Sequence, residues 1–97
     1  MSRTAYILTF DRDDNLDYKS FHELLINCPS VINWWHYIKS CYILIADTKN
    51  ATVLQQEIKE IIPNKRFLLV EVNLKNRNGW LPLEGWDWIK RQTSRIY

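Results

Sequence analysis

Four aspartates crowd a short stretch near the start of the chain: Asp11, Asp13, Asp14 and Asp17. Carboxylates this close could hold a hard cation such as Mg²⁺, which prefers carboxylate and water oxygens. The glycine and closing glutamate of an EF-hand are missing, and a polar loop with a capping aspartate accounts for all four. Asp11 and Asp13 stand as the metal candidates. His36 is the other group with reactive potential, because an imidazole titrates near neutrality. It sits among large aromatics on an apolar run, where a histidine more often hydrogen-bonds across a sheet or interface. No serine or cysteine can be set beside it as a nucleophile, although Ser40 and Cys41 are close along the chain. Asp11 and His36 are therefore the catalytic candidates, set against a reading with no catalytic residue. His22, on a helix, is expected to be exposed and uninformative.

The remaining distinctive residues are aromatic. Five tryptophans and five tyrosines among 97 residues exceed what a small core holds, and such side chains end at interfaces or in ligand grooves. Trp34, Trp35, Tyr42, Trp80, Trp86 and Trp88 are the interface candidates. The five tryptophans could also stack nucleic-acid bases. However, Cys41–Ala46 lacks the glycine-aromatic signature of an RNA-recognition strand, and the strands carry few cations for phosphate. A formal charge of +2, from 13 basic and 11 acidic residues, is too mild for a strong nucleic-acid footprint. The basic tail, through Lys90, Arg91 and Arg95, fits a solvated helix end.

Composition bounds the rest. One domain covering 1–97 is expected, because the length leaves no room for two cores. Cys28 and Cys41 form neither a disulfide framework nor a zinc pattern, and read as buried reduced thiols. No signal-peptide core and no apolar run of membrane-spanning length is present. A cytoplasmic location and no membrane partner follow by default.

These residues must be positioned by regular elements. Ala5–Phe10 is a β-branched and aromatic run, apolar on both faces, ending at Asp11. A helix begins after Asp17 as N-cap, with Tyr18, Phe21, Leu24, Leu25 and Cys28 as its stripe, and Pro29 ends it. Val31–Ile38 and Cys41–Ala46 are strands joined at Lys39-Ser40, a two-residue hairpin without the Gly or Asn of a primed turn. Ala51, Leu54, Ile58 and Ile61 mark a second helix, closed by Pro63 and Asn64. Arg66–Val72 is a fourth strand. Residues 73–97 form a Trp-rich extension, with Pro82 suited to open a third helix packed near the sheet edge.

Strand-helix-strand-strand-helix-strand is the split βαβ order of ferredoxin-like domains. The expected fold is α+β, with a four-stranded antiparallel sheet, two helices on one face and a C-terminal helix added. The first and third strands should be central, since these are the runs apolar on both sides. Two helices cover one face only, so the second face needs the tail, a second copy or another partner.

The stretch Asn33–Ser40 carries a resemblance. With Phe10-Asp11, Trp34-Trp35-His36-Tyr37, Leu69-Val70-Glu71-Val72, Gly79-Trp80-Leu81-Pro82 and Trp86-Asp87-Trp88, the chain resembles the small bacterial and phage proteins labelled SinR-like. These are grouped with the ferredoxin-like CRISPR adaptation protein, the small dimeric partner of the CRISPR integrase. The resemblance implies the fold, dimerisation and a mobile-element or defence setting. For that family it also implies an aspartate at the end of the first strand as a metal ligand for nuclease chemistry, the place held here by Asp11. The primary expectation is a non-enzymatic homodimeric interaction module without a cofactor. The alternative is a Mg²⁺-dependent nuclease or nucleic-acid-binding protein using Asp11 and the basic tail.

Overall fold

The computed structural model describes residues 3–11 and 17–97, with Tyr37 described by its backbone alone. Strand β1 (Thr4–Phe10) is followed by helix α1 (Tyr18–Ile26), strands β2 (Val31–Ile38) and β3 (Cys41–Ala46), and helix α2 (Ala51–Ile61). Strand β4 (Phe67–Glu71) and helix α3 (Leu83–Ile96) complete the order. The chain is thus α+β, with four antiparallel strands in the order β2-β3-β1-β4 and three helices. β1 and β3, the strands apolar on both sides, are the central pair.

Local chemistry sets the ends. The Asp17 carboxylate accepts from the N–H groups of Lys19 and Ser20 at 3.1 and 3.2 Å, satisfying donors that the first turn of α1 leaves open. Asn50 does the same for α2, accepting from Thr52 N–H at 3.0 Å. Pro82 is the N-cap of α3 rather than its first helical residue. At the β2–β3 turn Ser40 has φ 65° and is the only non-glycine residue with positive φ among those described. A type I′ turn needs positive φ at both central residues and a type II′ turn at the first, so this hairpin uses neither. A register shift in β2 between Trp35 and Ile38 accommodates the difference.

Alternation along the strands builds two apolar layers. Tyr6, Leu8 and Phe10 of β1, with Tyr42 and Leu44 of β3, pack against Phe21 and Leu25 of α1 and Leu54 and Ile58 of α2. Both helices therefore share one face. Ala5, Ile43, Ile45 and Trp35 point the other way, where Ile89 of α3 meets them. This corrects the expected place of the third helix: it lies over the second face, not merely near an edge. The reason is steric. Gly85 offers no side chain where α3 crosses β2, and a Cβ built there would stand 3.1 Å from Trp35 Nε1. Leu24, expected in the buried stripe of α1, is 56% exposed. Of the expected stripe, Phe21 and Leu25 are buried within α1 and Cys28 just beyond its end.

Candidate functional site

One α-helix is roughly 10 Å across with its side chains, whereas four strands spaced by roughly 4.8 Å span nearly twice that width. Two helices can close a face of such a sheet and one cannot. α3 closes the part of the second face around Ala5, Ile45 and Trp35. The neighbouring rows stay open. Ile7 is opposite Ile43 on β3 and Val70 on β4, and Thr9 is opposite Cys41 and Leu68. Ile38 extends the second row by pairing with Cys41. Ile38, Leu68 and Val70 are 52%, 62% and 45% exposed, while Ile7 and Cys41 are half-buried.

The connection from β4 to α3 bounds this open ground. Leu74 is buried in the second layer, its N–H donates to the Tyr97 hydroxyl at 3.0 Å, and its carbonyl accepts from Arg77 Nη1 at 2.9 Å. The Tyr97 hydroxyl in turn donates to the Val72 carbonyl at 3.3 Å. The connection is thereby strapped to the last turn of α3. It holds Trp80 at 98% exposure on the rim of a cavity of about 410 Å³ whose walls include Ile7, Ile38, Cys41, Ile43 and Leu74. A solvated indole beside an unfilled apolar cavity leaves a large apolar area in water.

The six tryptophan and tyrosine candidates divide. Trp35 and Tyr42, at 3% and 1% exposure, are consumed inside the chain by the second and first layers respectively and offer no surface to a partner. That corrects their expected place at an interface; both lie on strands with a layer packed over them. Trp86 and Trp88 are half-buried against the second layer, and Trp88 Nε1 donates to Asn33 Oδ1 at 3.3 Å. Trp34 is half-buried on the α1 side. Trp80 alone is free.

His36 belongs to a ring cluster under α1. Its imidazole stacks on Tyr42 at 3.9 Å, and His22 Nδ1 shares a 2.7 Å hydrogen bond with the Tyr42 hydroxyl. His22 also meets Trp34 edge to face at 4.6 Å. The expectation that His22 is exposed is thus corrected: it is half-buried and tied to the core. The signal was available, since His22 follows Phe21 of the buried stripe and Trp34, His36 and Tyr42 share one face of the hairpin. Burial, and then the neighbouring His22, holds the His36 pKa below its ordinary value. Burial pushes the Tyr42 hydroxyl up to about 12, so it stays protonated at neutral pH. Among the described residues the ring contacts of this cluster join His22, Trp34, His36 and Tyr42 with the core aromatics Phe10 and Phe21.

Comparison with protein-family models, curated proteins and solved structures returns no match. The site must be read from its own chemistry.

Asp11 follows β1 directly, as the sequence placed it, but its Oδ2 accepts from Arg66 Nε at 2.7 Å in an exposed ion pair. A cation there would compete with a guanidinium already seated on the carboxylate. Asp13, the other metal candidate, lies outside the described residues. Among the described residues no three His, Cys, Asp or Glu side chains gather to hold a metal ion. Both cysteines are free thiols. Burial, with Glu57 and Glu60 nearby, pushes Cys28 up to about 11, and burial also raises Cys41, so neither is a ready nucleophile. Among the described residues no helix is long and apolar enough to cross a membrane.

Proposed function

We propose that the chain is a homodimeric interaction module without catalytic residues, assembled through the open half of its second sheet face. The observation that carries this reading is the exposure of Ile38, Leu68 and Val70 on the two open rows, together with the fully exposed Trp80 and its cavity. A two-fold axis would let each indole enter the cavity of the other copy, since in an isologous contact residue i meets j and j meets i. A large aromatic set in a desolvated pocket is the usual anchor of such contacts.

The finer fold and setting belong to the same reading. The βαββαβ order, the central β1 and β3 and the shared face of α1 and α2 support a ferredoxin-like chain. The Trp-Trp-His-Tyr and Gly-Trp-Leu-Pro motifs support kinship with the SinR-like and CRISPR adaptation proteins, and with it a cytoplasmic role in defence or on mobile elements. Asp11, bound to Arg66, has no part in the reading.

Light scattering after gel filtration tests it. The expected result is twice the chain mass at high micromolar concentration, reduced to the single chain by Val70→Lys or Trp80→Ala. A strictly monomeric parent would overturn the proposal, and so would a dimer indifferent to both variants.

A further inference from the structure

β4 is an edge strand, with no strand on its outer side. Asp11 N–H donates to the Arg66 carbonyl at 3.1 Å, and Val72 N–H to the Ala5 carbonyl at 2.9 Å. In an antiparallel ladder, residues alternate in the direction of their backbone bonds. Arg66, Leu68, Val70 and Val72 therefore bond to β1, while Phe67, Leu69 and Glu71 turn their N–H and C=O groups outward. Edge strands are normally guarded by proline, by inward charges or by bulges. The opposite edge, β2, has two register shifts. β4 pairs with β1 in unbroken register, and Phe67–Val70 holds neither charge nor proline. A groove of about 770 Å³ runs between this strand and α2, lined by Thr52, Gln55 and Lys59 from the helix and by half-buried Phe67 and Leu69 from the strand.

This edge is complementary to itself. A two-fold axis through Leu69, perpendicular to the sheet, sets Leu69 against Leu69 of a second copy and Phe67 against its Glu71. Those are the residues whose backbone groups face outward, so each of them finds a partner in the same register. On the second face this register sets Leu68 against Val70 of the other copy, and these are side chains 62% and 45% exposed. Apolar cross-strand pairs of this kind stabilise a ladder, and like charges directly opposite destabilise one. Glu71 is the one ionised residue of the strand, and it meets Phe67 rather than its own copy. It arrives on the face where Lys59 lines the groove, and α2 leads into β4 through a short turn, so Lys59 stands toward the Phe67 end. Neither Lys59 nor Glu71 has an ion pair among the described residues.

We infer that β4 pairs with β4 of a second copy, antiparallel and centred on Leu69, so that the two sheets run on as one. Main-chain bonds at Phe67, Leu69 and Glu71 supply the attachment, as in strand addition to a sheet edge. The contact is separate from the one through the second face. Its axis leaves the second faces of both copies on the same side and open, so the two contacts together join dimers in pairs. It is the weaker of the two, because a few exposed backbone bonds have a small net worth and must offset the lost freedom of two chains. It therefore belongs to millimolar concentration.

Trp80→Ala protein, which lacks the anchor of the second-face contact, tests the inference by sedimentation equilibrium and amide hydrogen exchange at micromolar and at millimolar concentration. A single chain is expected to pass to twice its mass. The N–H groups of Phe67, Leu69 and Glu71 should gain protection only at the higher concentration, while those of Leu68 and Val70, bonded to β1, are protected at both. Glu71→Pro removes an outward donor and leaves the β1 ladder whole, so it should hold the protein at the single-chain mass. Glu71→Lys should weaken the pairing by about fivefold, the size of an exposed ion pair. A single chain at both concentrations, unchanged protection at the three outward amides, or a dimer unmoved by Glu71→Pro would overturn the edge pairing. Equal association of Glu71→Lys would overturn the register. A parent chain that is monomeric at high micromolar concentration, with Trp80→Ala still doubling at millimolar, would remove the second-face contact and leave the edge pairing standing. Far-ultraviolet circular dichroism of each variant keeps loss of fold apart from loss of pairing.

Discussion

The two faces of this sheet are made by the same strands and end differently. On β1, Tyr6, Leu8 and Phe10 disappear beneath two helices, whereas Ala5, Ile7 and Thr9 pass from buried through half-buried to exposed within five residues. On β3, Leu44 is fully covered, while Cys41 at the start of the strand is only partly so. The apolar content of the two sides is similar; the number of helices over them is not. An apolar side chain in a strand is thus a demand for cover, and the connection that follows decides whether the chain itself meets it.

The sharpest way to break this comparison is one strand position at a time. Leu44→Ala should cost about 3 kcal/mol and Ile43→Ala about 2, because both leave cavities in packed layers. Ile38→Ala, on the open half, should change monomer stability by less than about 0.5 kcal/mol. Urea denaturation of the three in a Val70→Lys background measures the gradient, and equal losses at all three would mean that the second face is closed as well as the first.

A smaller effect comes from α3. Gln92 is buried to 1% exposure, and its Oε1 has no hydrogen-bond donor among the described residues. Gln92→Met keeps the length of the side chain and removes the orphaned acceptor, so stability should rise by about 1 kcal/mol. A fall in the same denaturation measurement would mean that the amide is satisfied by a group inside the second layer.

The third effect is a pH dependence confined to the first face. The folded pKa of His36 lies below its unfolded value of about 6.5, so the unfolded chain takes up the proton first as pH falls. The contribution of His36 is fully present above that value and is lost as pH falls through the lower, folded one. Thermal unfolding from pH 8 to pH 5 should show this decline, and His36→Phe, which keeps a ring on Tyr42, should flatten it. An unchanged slope in the variant would assign the decline to other groups.

Much of the fold was legible because its signals are local. Asp17 caps the helix it was expected to start, that helix ends at Ile26 shortly before Pro29, and the doubly apolar runs became the central strands. The tail was among the covers expected for the second face, but how α3 seats there was not legible. It turns on Gly85 seating against Trp35 and on Tyr97 strapping the connection at Val72 and Leu74, contacts made between residues far apart in sequence with no periodic signature. The same holds for the aromatic candidates: composition showed that there were too many for one small core, but not that Trp35 and Tyr42 would be consumed while Trp80 was left out. The groove along β4 was not legible because its lining is split between α2 and the strand itself.

The position of β1 has a consequence for how the chain is made. Its partners, Cys41–Ala46 and Phe67–Glu71, are synthesised long after it. As the chain leaves the ribosome, the first strand has no neighbour, and the β2–β3 hairpin is the earliest pairing available. Contacts this distant in sequence slow folding, because the loop must close before they contribute. The nascent chain therefore carries one edge of Tyr6-Ile7-Leu8 unpaired until β4 emerges, and a pause in translation before Phe67 would prolong the interval in which this edge can pair with the wrong chain.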